Sequence, residues 1–269
     1  MSNFNIRDKV VVITGGSGAL GFYFSEIFLE NNATVILIDI DNKNLKDKYN
    51  ILKNKFRSQK IDYYVCNISK EKQVNLVVNK ILKKYKKIDV LVNNASTKTK
   101  NIYNFYQSVE NYKLSTWDEV MSVNVSGTFL FAQKVGKSMI KRNKGGSIIQ
   151  MSSIYGSTAP DLNIYKNIKD NSVSPSPVSY MVSKSAIEGL TKYLASHWGK
   201  FNIRVNSISP GGVDINLDKN FKKNYINKVP LKRMALPEDL KGIIIYLSSD
   251  LSSYVTGQNF LIDGGFCTI

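Results

Sequence analysis

Lys9-Val10-Val11-Val12-Ile13-Thr14 runs directly into Gly15-Gly16-Ser17-Gly18-Ala19-Leu20-Gly21. Four consecutive β-branched apolar residues predict a strand buried on both faces, and the glycine string predicts a tight turn opening a helix. Backbone at such a turn can approach a pyrophosphate, and the helix N-terminus adds free N–H groups and a positive dipole. A purely structural turn is the competing reading of the string. Its place between a strand and a helix favours the phosphate cradle.

Outward from this stretch, short β-branched runs alternate with longer segments of helical period. Strands are predicted at Lys9–Thr14, Thr34–Asp39, Ile61–Cys66, Ile88–Val92, Ser147–Met151, Ile203–Ser207 and Asn259–Ile262. Helices are predicted near 19–31, 42–57, 70–86, 115–142, 177–199 and 237–248. The alternation implies βαβ units: one α/β domain over 1–269, doubly wound, with a seven-stranded parallel sheet and helices on both faces. An irregular stretch, 157–179, holds Pro160, Pro175 and Pro177. A loop of that length inside a compact domain is usually functional.

Composition narrows the class. With 43% hydrophobic residues the chain of 269 can bury a proper core, which excludes wholesale disorder. No apolar run approaches the ~18 residues of a membrane span, and the N-terminus carries no apolar signal core. Cys66 and Cys267 lie far apart without a CxxC, so neither a disulfide framework nor a metal site is readable. A cytoplasmic protein without membrane partners is expected. Lys+Arg 37 against Asp+Glu 21 leaves a net charge of +16, scattered along the chain as a solvated surface would be. No basic recognition helix stands out, so no nucleic-acid partner is expected.

Two further features carry chemistry. The second strand ends in Asp39, whose carboxylate can accept hydrogen bonds from an adenosine ribose and would repel a 2′-phosphate. That favours NAD(H) over NADP(H). Tyr180-Met181-Val182-Ser183-Lys184 opens a helix that Ser176 could cap and Pro177 could start. Residues at i and i+4 share a helix face, so phenol and ammonium can lie side by side. A phenol titrates near ~10 in water, and a neighbouring ammonium would lower that value toward use as a base.

With Asn93-Asn94-Ala95, Asn124, Ser152-Ser153, Ser209-Pro210-Gly211, Thr256-Gly257-Gln258 and Asp263-Gly264-Gly265 in the same order, the chain resembles the short-chain dehydrogenase/reductase family along nearly its whole length. The resemblance implies a Rossmann domain, bound NAD and a catalytic set of Asn124, Ser153, Tyr180 and Lys184. Tyr180 would be the acid/base and Ser153 would hydrogen-bond the substrate oxygen. Lys184 would hold the nicotinamide ribose, and Asn124 would keep a water linking Lys184 to solvent. Ser153 is preferred to Ser152 because it stands three residues before Gly156. Implied cofactor contacts are Gly15, Ser17, Gly18, Leu20, Gly21, Asp39, Ile40, Asn67, Ile68, Asn94, Ala95, Ser96, Tyr180, Lys184, Pro210, Gly211 and Val213. Departures from the usual pattern are Ala19, Asn67, Ser96 and Ile215.

Ser153 and Tyr180 are also farther apart than in most of the family, so a segment is inserted between them. Its Ala159-Pro160-Asp161, Ile164-Tyr165 and Ser174-Pro175 resemble oxidoreductases of flagellin-modification and nonulosonate (legionaminic-type) sugar pathways. The implied substrate is a sugar hydroxyl or ketone, in particular an amino-sugar phosphate. Alternatives are a 3-oxoacyl-carrier-protein reductase and a catalytically silent NAD-binding regulator. Pairing into a homo-tetramer or homo-dimer is implied as well. Within the substrate segment 213–235, Lys219, Lys222, Lys223, Lys228, Lys232 and Arg233 outnumber Asp214 and Asp218, which suggests a cationic lid for a phosphate. Asn163, Tyr165, Asn167 and Asn171 of the insertion offer hydroxyl-reading groups, and its Lys166 and Lys169 balance Asp161 and Asp170. The lone His197 is read as packing, Tyr193 and Trp198 as core or subunit contacts, and Cys66 as a small buried hydrophobe.

Overall fold

The computed structural model describes residues 4–165, 176–215, 217 and 219–268. The first half runs β1 (Val10–Thr14), α1 (Ala19–Glu30), β2 (Thr34–Asp39), α2 (Asn42–Lys55), β3 (Ile61–Val65), α3 (Glu71–Tyr85), β4 (Val90–Asn93) and the short α4 (Ile102–Phe105). It continues with α5 (Leu114–Met121), α6 (Thr128–Arg142), β5 (Gly146–Met151), α7 (Ile154–Ser157), α8 (Val178–Trp198) and β6 (Ile203–Pro210). Last come α9 (Lys219–Lys228), α10 (Lys241–Ser248) and β7 (Asn259–Ile262).

All seven strands pair in parallel, in the order β3-β2-β1-β4-β5-β6-β7. The predicted fold class holds. The uninterrupted apolar strands are explained by the period of two, since alternate residues enter opposite cores. On β1, Val11 and Ile13 pack with α1, α2 and α10, while Val10 and Val12 pack with α3, α6 and α8. Trp198 closes the second core against Gly136, and Cys66 is buried there as expected.

Four local readings are corrected. The helix expected over 115–142 is interrupted by a π-helical turn, Ser122–Gly127, that joins α5 to α6. A widened turn of this kind re-aims a side chain, here Asn124. Gly127 permits it, because a Cβ there would stand 2.6 Å from Ile68. Second, α8 is capped by Pro177, whose carbonyl accepts from the N–H groups of Tyr180 and Met181, and not by Ser176. Third, α9 forms inside the segment read as a substrate loop. Its polar run of Lys and Asn hides the period, and Tyr225 supplies its buried anchor. Fourth, β6 reaches Pro210, so the Ser-Pro-Gly turn leaves the sheet directly.

Candidate active site

Apart from Asn124 on the π-helical turn and Tyr180 and Lys184 on α8, the predicted site residues follow or end strands at their C-terminal ends. Gly15 to Gly21 leave β1, Asp39 and Ile40 leave β2, and Asn67 and Ile68 leave β3. Asn94 to Ser96 leave β4, Ser153 leaves β5, and Pro210, Gly211 and Val213 leave β6. The strand order reverses between β1 and β4, the crevice where open α/β sheets take their ligands.

The cradle is built backbone first. Gly15 has φ +64°, and a Cβ on it would stand 2.8 Å from Ala95 Cα, so only glycine lets the β4 loop lie against the turn. Asn94 Nδ2 donates to the carbonyls of Thr14 and Gly15, both at 3.1 Å, and Thr14 Oγ1 accepts from the N–H groups of Asn94 and Ala95 at 3.1 Å each. The Asn94 amide is therefore engaged in holding the cradle. Thr14 escaped the sequence reading, where it signals only as a hydroxyl at the end of a strand. Gly18 caps α1 with no side-chain bond, which leaves the first-turn N–H groups without a side-chain partner.

Asp39 closes one side. Its Oδ2 accepts from Ser17 N at 3.0 Å and Ser17 Oγ at 2.6 Å, and its Oδ1 accepts from Ile40 N at 2.7 Å. Ile40 is exposed beside it, 63% of its surface open. Two expected contacts are narrowed, to backbone at Ile68 and to Nδ2 or backbone at Asn67. Ile68 is buried in the core beneath Gly127, so its side chain cannot reach a ligand. Asn67 Oδ1 is already bonded to Ser69 N and Oγ, at 3.0 and 2.7 Å. Ser96 and Ile215 are exposed, while Val213 is buried and bridges to Ala235.

The chemical residues meet on α8. Lys184 Nζ lies 5.4 Å from the centroid of the Tyr180 ring and donates to Met151 O at 2.7 Å. The Ser153 hydroxyl hydrogen-bonds Tyr180 and also caps α7 through Tyr155 N, at 3.3 Å. Asn124 is buried: its Oδ1 accepts from Thr97 N at 2.9 Å and its Nδ2 donates to Ser183 Oγ at 3.1 Å. Ser183 Oγ in turn donates to Tyr180 O at 2.7 Å, so Asn124 is tied to the turn that carries the phenol.

Electrostatics correct one expectation. Burial pushes the Tyr180 phenol above its ordinary range, and the Ser153 hydrogen bond opposes this in part. Burial also brings the Lys184 ammonium down to about 8. Burial shifts both groups toward their neutral forms; at about 8 Lys184 is still mostly an ammonium at pH 7, yet the phenol stays above its ordinary value. Desolvation penalises each charge more than the pair relieves.

The substrate side is also revised. Lys222 pairs with Asp214 at 2.6 Å, Lys228 with Asp161 at 2.9 Å, and Arg233 with both oxygens of Asp239 at 2.6 and 2.8 Å. Lys232 Nζ donates to Asn227 O. Four of the six cations expected to greet a phosphate are thus engaged within the protein. Asn163 turns onto Asp161 instead of a ligand. Lys166, Asn167, Lys169, Asp170, Asn171, Ser174, Pro175 and Asp218 lie outside the described residues.

Beneath this side lies an aromatic cluster in which Phe105, Tyr225 and Phe266 are buried, a feature the sequence reading missed except at Tyr165. Phe105 meets Tyr180 edge-on at 6.5 Å, and Tyr165, Phe221, Tyr225 and Phe266 follow in successive ring contacts of 5.5, 5.8 and 5.1 Å. These rings, with Tyr180, come from five separate stretches of chain, so no local period announces them. His197 is exposed and stacks on Tyr193, so its packing is a surface contact. Among the described residues no group of three or more His, Cys, Asp or Glu could hold a metal, and no helix is long and apolar enough to cross a membrane.

Comparison with known proteins agrees with this geometry. Residues 17–267 match a family described as enoyl-(acyl carrier protein) reductase. The chain is 35% identical to the 3-oxoacyl-(acyl-carrier-protein) reductase of Thermotoga maritima, across 97% of this chain and 98% of that one. It is 33% identical to the NAD-dependent glycerol dehydrogenase of Listeria innocua, across 98% and 96%. Among solved structures, a short-chain dehydrogenase from Leptospira borgpetersenii with bound NAD+ superposes with a TM-score of 0.85 at 35% identity, covering 98% of this chain and 94% of that one.

Proposed function

The chain belongs to the short-chain dehydrogenase/reductase family and is an oxidoreductase of it; on that premise we propose that it moves a hydride between NAD(H) and a secondary hydroxyl or ketone of a sugar-like or polyol-like small molecule. The observation that carries the cofactor choice is Asp39, held by three hydrogen bonds beside the glycine turn. A carboxylate fixed there favours two free ribose hydroxyls and opposes a 2′-phosphate.

The residues present fit a dinucleotide. The uncapped N-terminus of α1 suits the pyrophosphate, Gly15 gives the close approach, and Lys184 stands ready for the nicotinamide ribose. When bound, the nicotinamide supplies or accepts the hydride. The protein's own part is the proton. Tyr180 holds it at its hydroxyl in reduction and takes it in oxidation, and Ser153 orients the same oxygen. Burial keeps the phenol protonated without substrate, which suits a proton donor.

The substrate class is supported by the aromatic, hydroxyl-bearing wall beside Tyr180 and by likeness to a glycerol dehydrogenase. Within it we place the chain with flagellin or nonulosonate sugar oxidoreductases, on the resemblance of 159–165. A second reading, a 3-oxoacyl-carrier-protein reductase, is favoured by the 35% identity with the Thermotoga enzyme and by a net charge of +16 that suits an acidic carrier. The exposed Tyr193, Tyr254 and Leu261 further support pairing of copies through α8 and the β7 edge. Cofactor titration followed by turnover assays tests the reading. Tighter NADH than NADPH binding and turnover of polyols or ketoses support it. Turnover of a 3-oxoacyl thioester alone would select the second reading.

A further inference from the structure

The short 3₁₀ turn Leu162–Tyr165, in the segment inserted between Ser153 and Tyr180, brings Tyr165 to the cluster on which Tyr180 packs. Its hydroxyl shares a hydrogen bond of 3.0 Å with the hydroxyl of Tyr155, two residues after Ser153. Its ring lies 5.5 Å from Phe221 of α9, and the backbone beside it is clasped by the same helix, with Asn224 Nδ2 donating to Ile164 O at 3.3 Å. Lys228 to Asp161 pins a second point of that contact. Tyr165 is thus held by ring packing with its hydroxyl on Tyr155, in the same cluster as the catalytic phenol.

Four phenols converge here: Tyr106, Tyr155, Tyr165 and Tyr180. Tyr155, Tyr165 and Tyr180 share one packed cluster, and Tyr106 lies edge-on to Phe105, which in turn meets Tyr180. Burial raises all four above the ordinary range, so all are neutral donors at pH 7. Tyr165 donates to Tyr155, so the O–H left for a ligand is that of Tyr155, which Tyr165 holds in place. The Tyr106 hydroxyl has no hydrogen-bond partner among the described residues.

We propose that Tyr155, positioned by Tyr165, and Tyr106 determine specificity by hydrogen-bonding a hydroxyl neighbouring the reacting carbon, and that the substrate is an uncharged polyhydroxylated molecule, not a phosphorylated one. This rests on the function proposed above. Neutral donors suit sugar hydroxyls, and the partly exposed rings of Tyr165 and Tyr180 give apolar surface for the C–H face of a polyol. A phosphate would need charge-assisted donors. Lys222, Lys228 and Arg233 are held in ion pairs, and Lys184 is bound to Met151 O.

The test compares the wild type with Tyr165→Phe and Tyr106→Phe, using NAD+ with D-sorbitol, D-arabinitol, sorbitol 6-phosphate and cyclohexanol. The wild type should turn over a polyol at least about tenfold more efficiently than cyclohexanol and than the phosphorylated polyol. Tyr165→Phe should cut kcat/KM for the polyol about tenfold, with cyclohexanol turnover and NADH affinity unchanged. Tyr106→Phe should act in the same direction if Tyr165→Phe folds poorly. Equal loss on polyol and cyclohexanol, or a preference for sorbitol 6-phosphate, would overturn the proposal and leave the oxidoreductase reading standing. Absence of any polyol turnover, with activity on a 3-oxoacyl thioester, would remove the function on which it rests, and the proposal with it.

Discussion

Ser17 gives both its backbone N–H and its hydroxyl to one oxygen of Asp39, at 3.0 and 2.6 Å, across the mouth of the glycine turn. The carboxylate is thereby fixed where an adenosine ribose would arrive, and its charge is the obstacle to a 2′-phosphate. Asp39→Asn removes that charge and keeps the shape. The ratio of NADPH to NADH dissociation constants should fall at least about tenfold in the variant. A ratio equal to that of the wild type would place cofactor choice elsewhere.

Tyr180→Phe removes the proton donor while leaving the ring on which Phe105 and Lys184 pack. Turnover should drop by ~10²–10⁴-fold, with NADH affinity nearly intact. Ser153→Ala tests the pairing more finely. The Ser153 hydrogen bond lowers the phenol, so its loss should move the Tyr180-dependent limb of the pH–rate profile to higher pH. An unmoved limb would detach Ser153 from the phenol.

Lys184 predicts a stability signature. Its ammonium, brought to about 8 by burial, titrates below the 10.5 of an ordinary lysine. Between those values the unfolded chain binds more protons, so this group's contribution to stability rises with pH across that window and is flat below it. Urea unfolding of the wild type and Lys184→Met at pH 7 and pH 9 measures the difference. The wild type should gain on the variant at the higher pH. Equal pH dependence in both would mean that the ammonium is solvated.

Lys222 is half-buried beside Asp214 at 2.6 Å, and an ion pair in that setting is worth about 1 kcal/mol or less. Lys222→Gln should therefore lower stability slightly and leave the KM for a phosphorylated sugar unchanged. A KM rising severalfold for the phosphorylated form alone would restore the cationic lid.

Much of this protein was legible along the chain because its determinants are local. The β-branched runs specify buried strands, the glycine string after β1 specifies a turn only glycine tolerates, and Tyr180 and Lys184 share a face at a spacing any helix would give. Asp39 was legible because the end of β2 always faces the turn after β1 in a parallel pair. From those features followed the sheet, the cradle and the catalytic group.

What the sequence could not decide is the balance of environments. Whether Lys184 lowers the Tyr180 phenol depends on how much water each keeps, and burial reverses the expected sign. Whether the lysines of 219–233 make a lid depends on the partners Asp214, Asp161 and Asp239, all of which sit outside the cationic run. The aromatic wall of Phe105, Tyr165, Phe221 and Phe266 is assembled from stretches that meet only when the sheet, α9 and the C-terminal turn close together. Spacing along a chain sets which side chains share an element. Desolvation and ion pairing are set by every element packed around them, and these the tertiary structure alone decided.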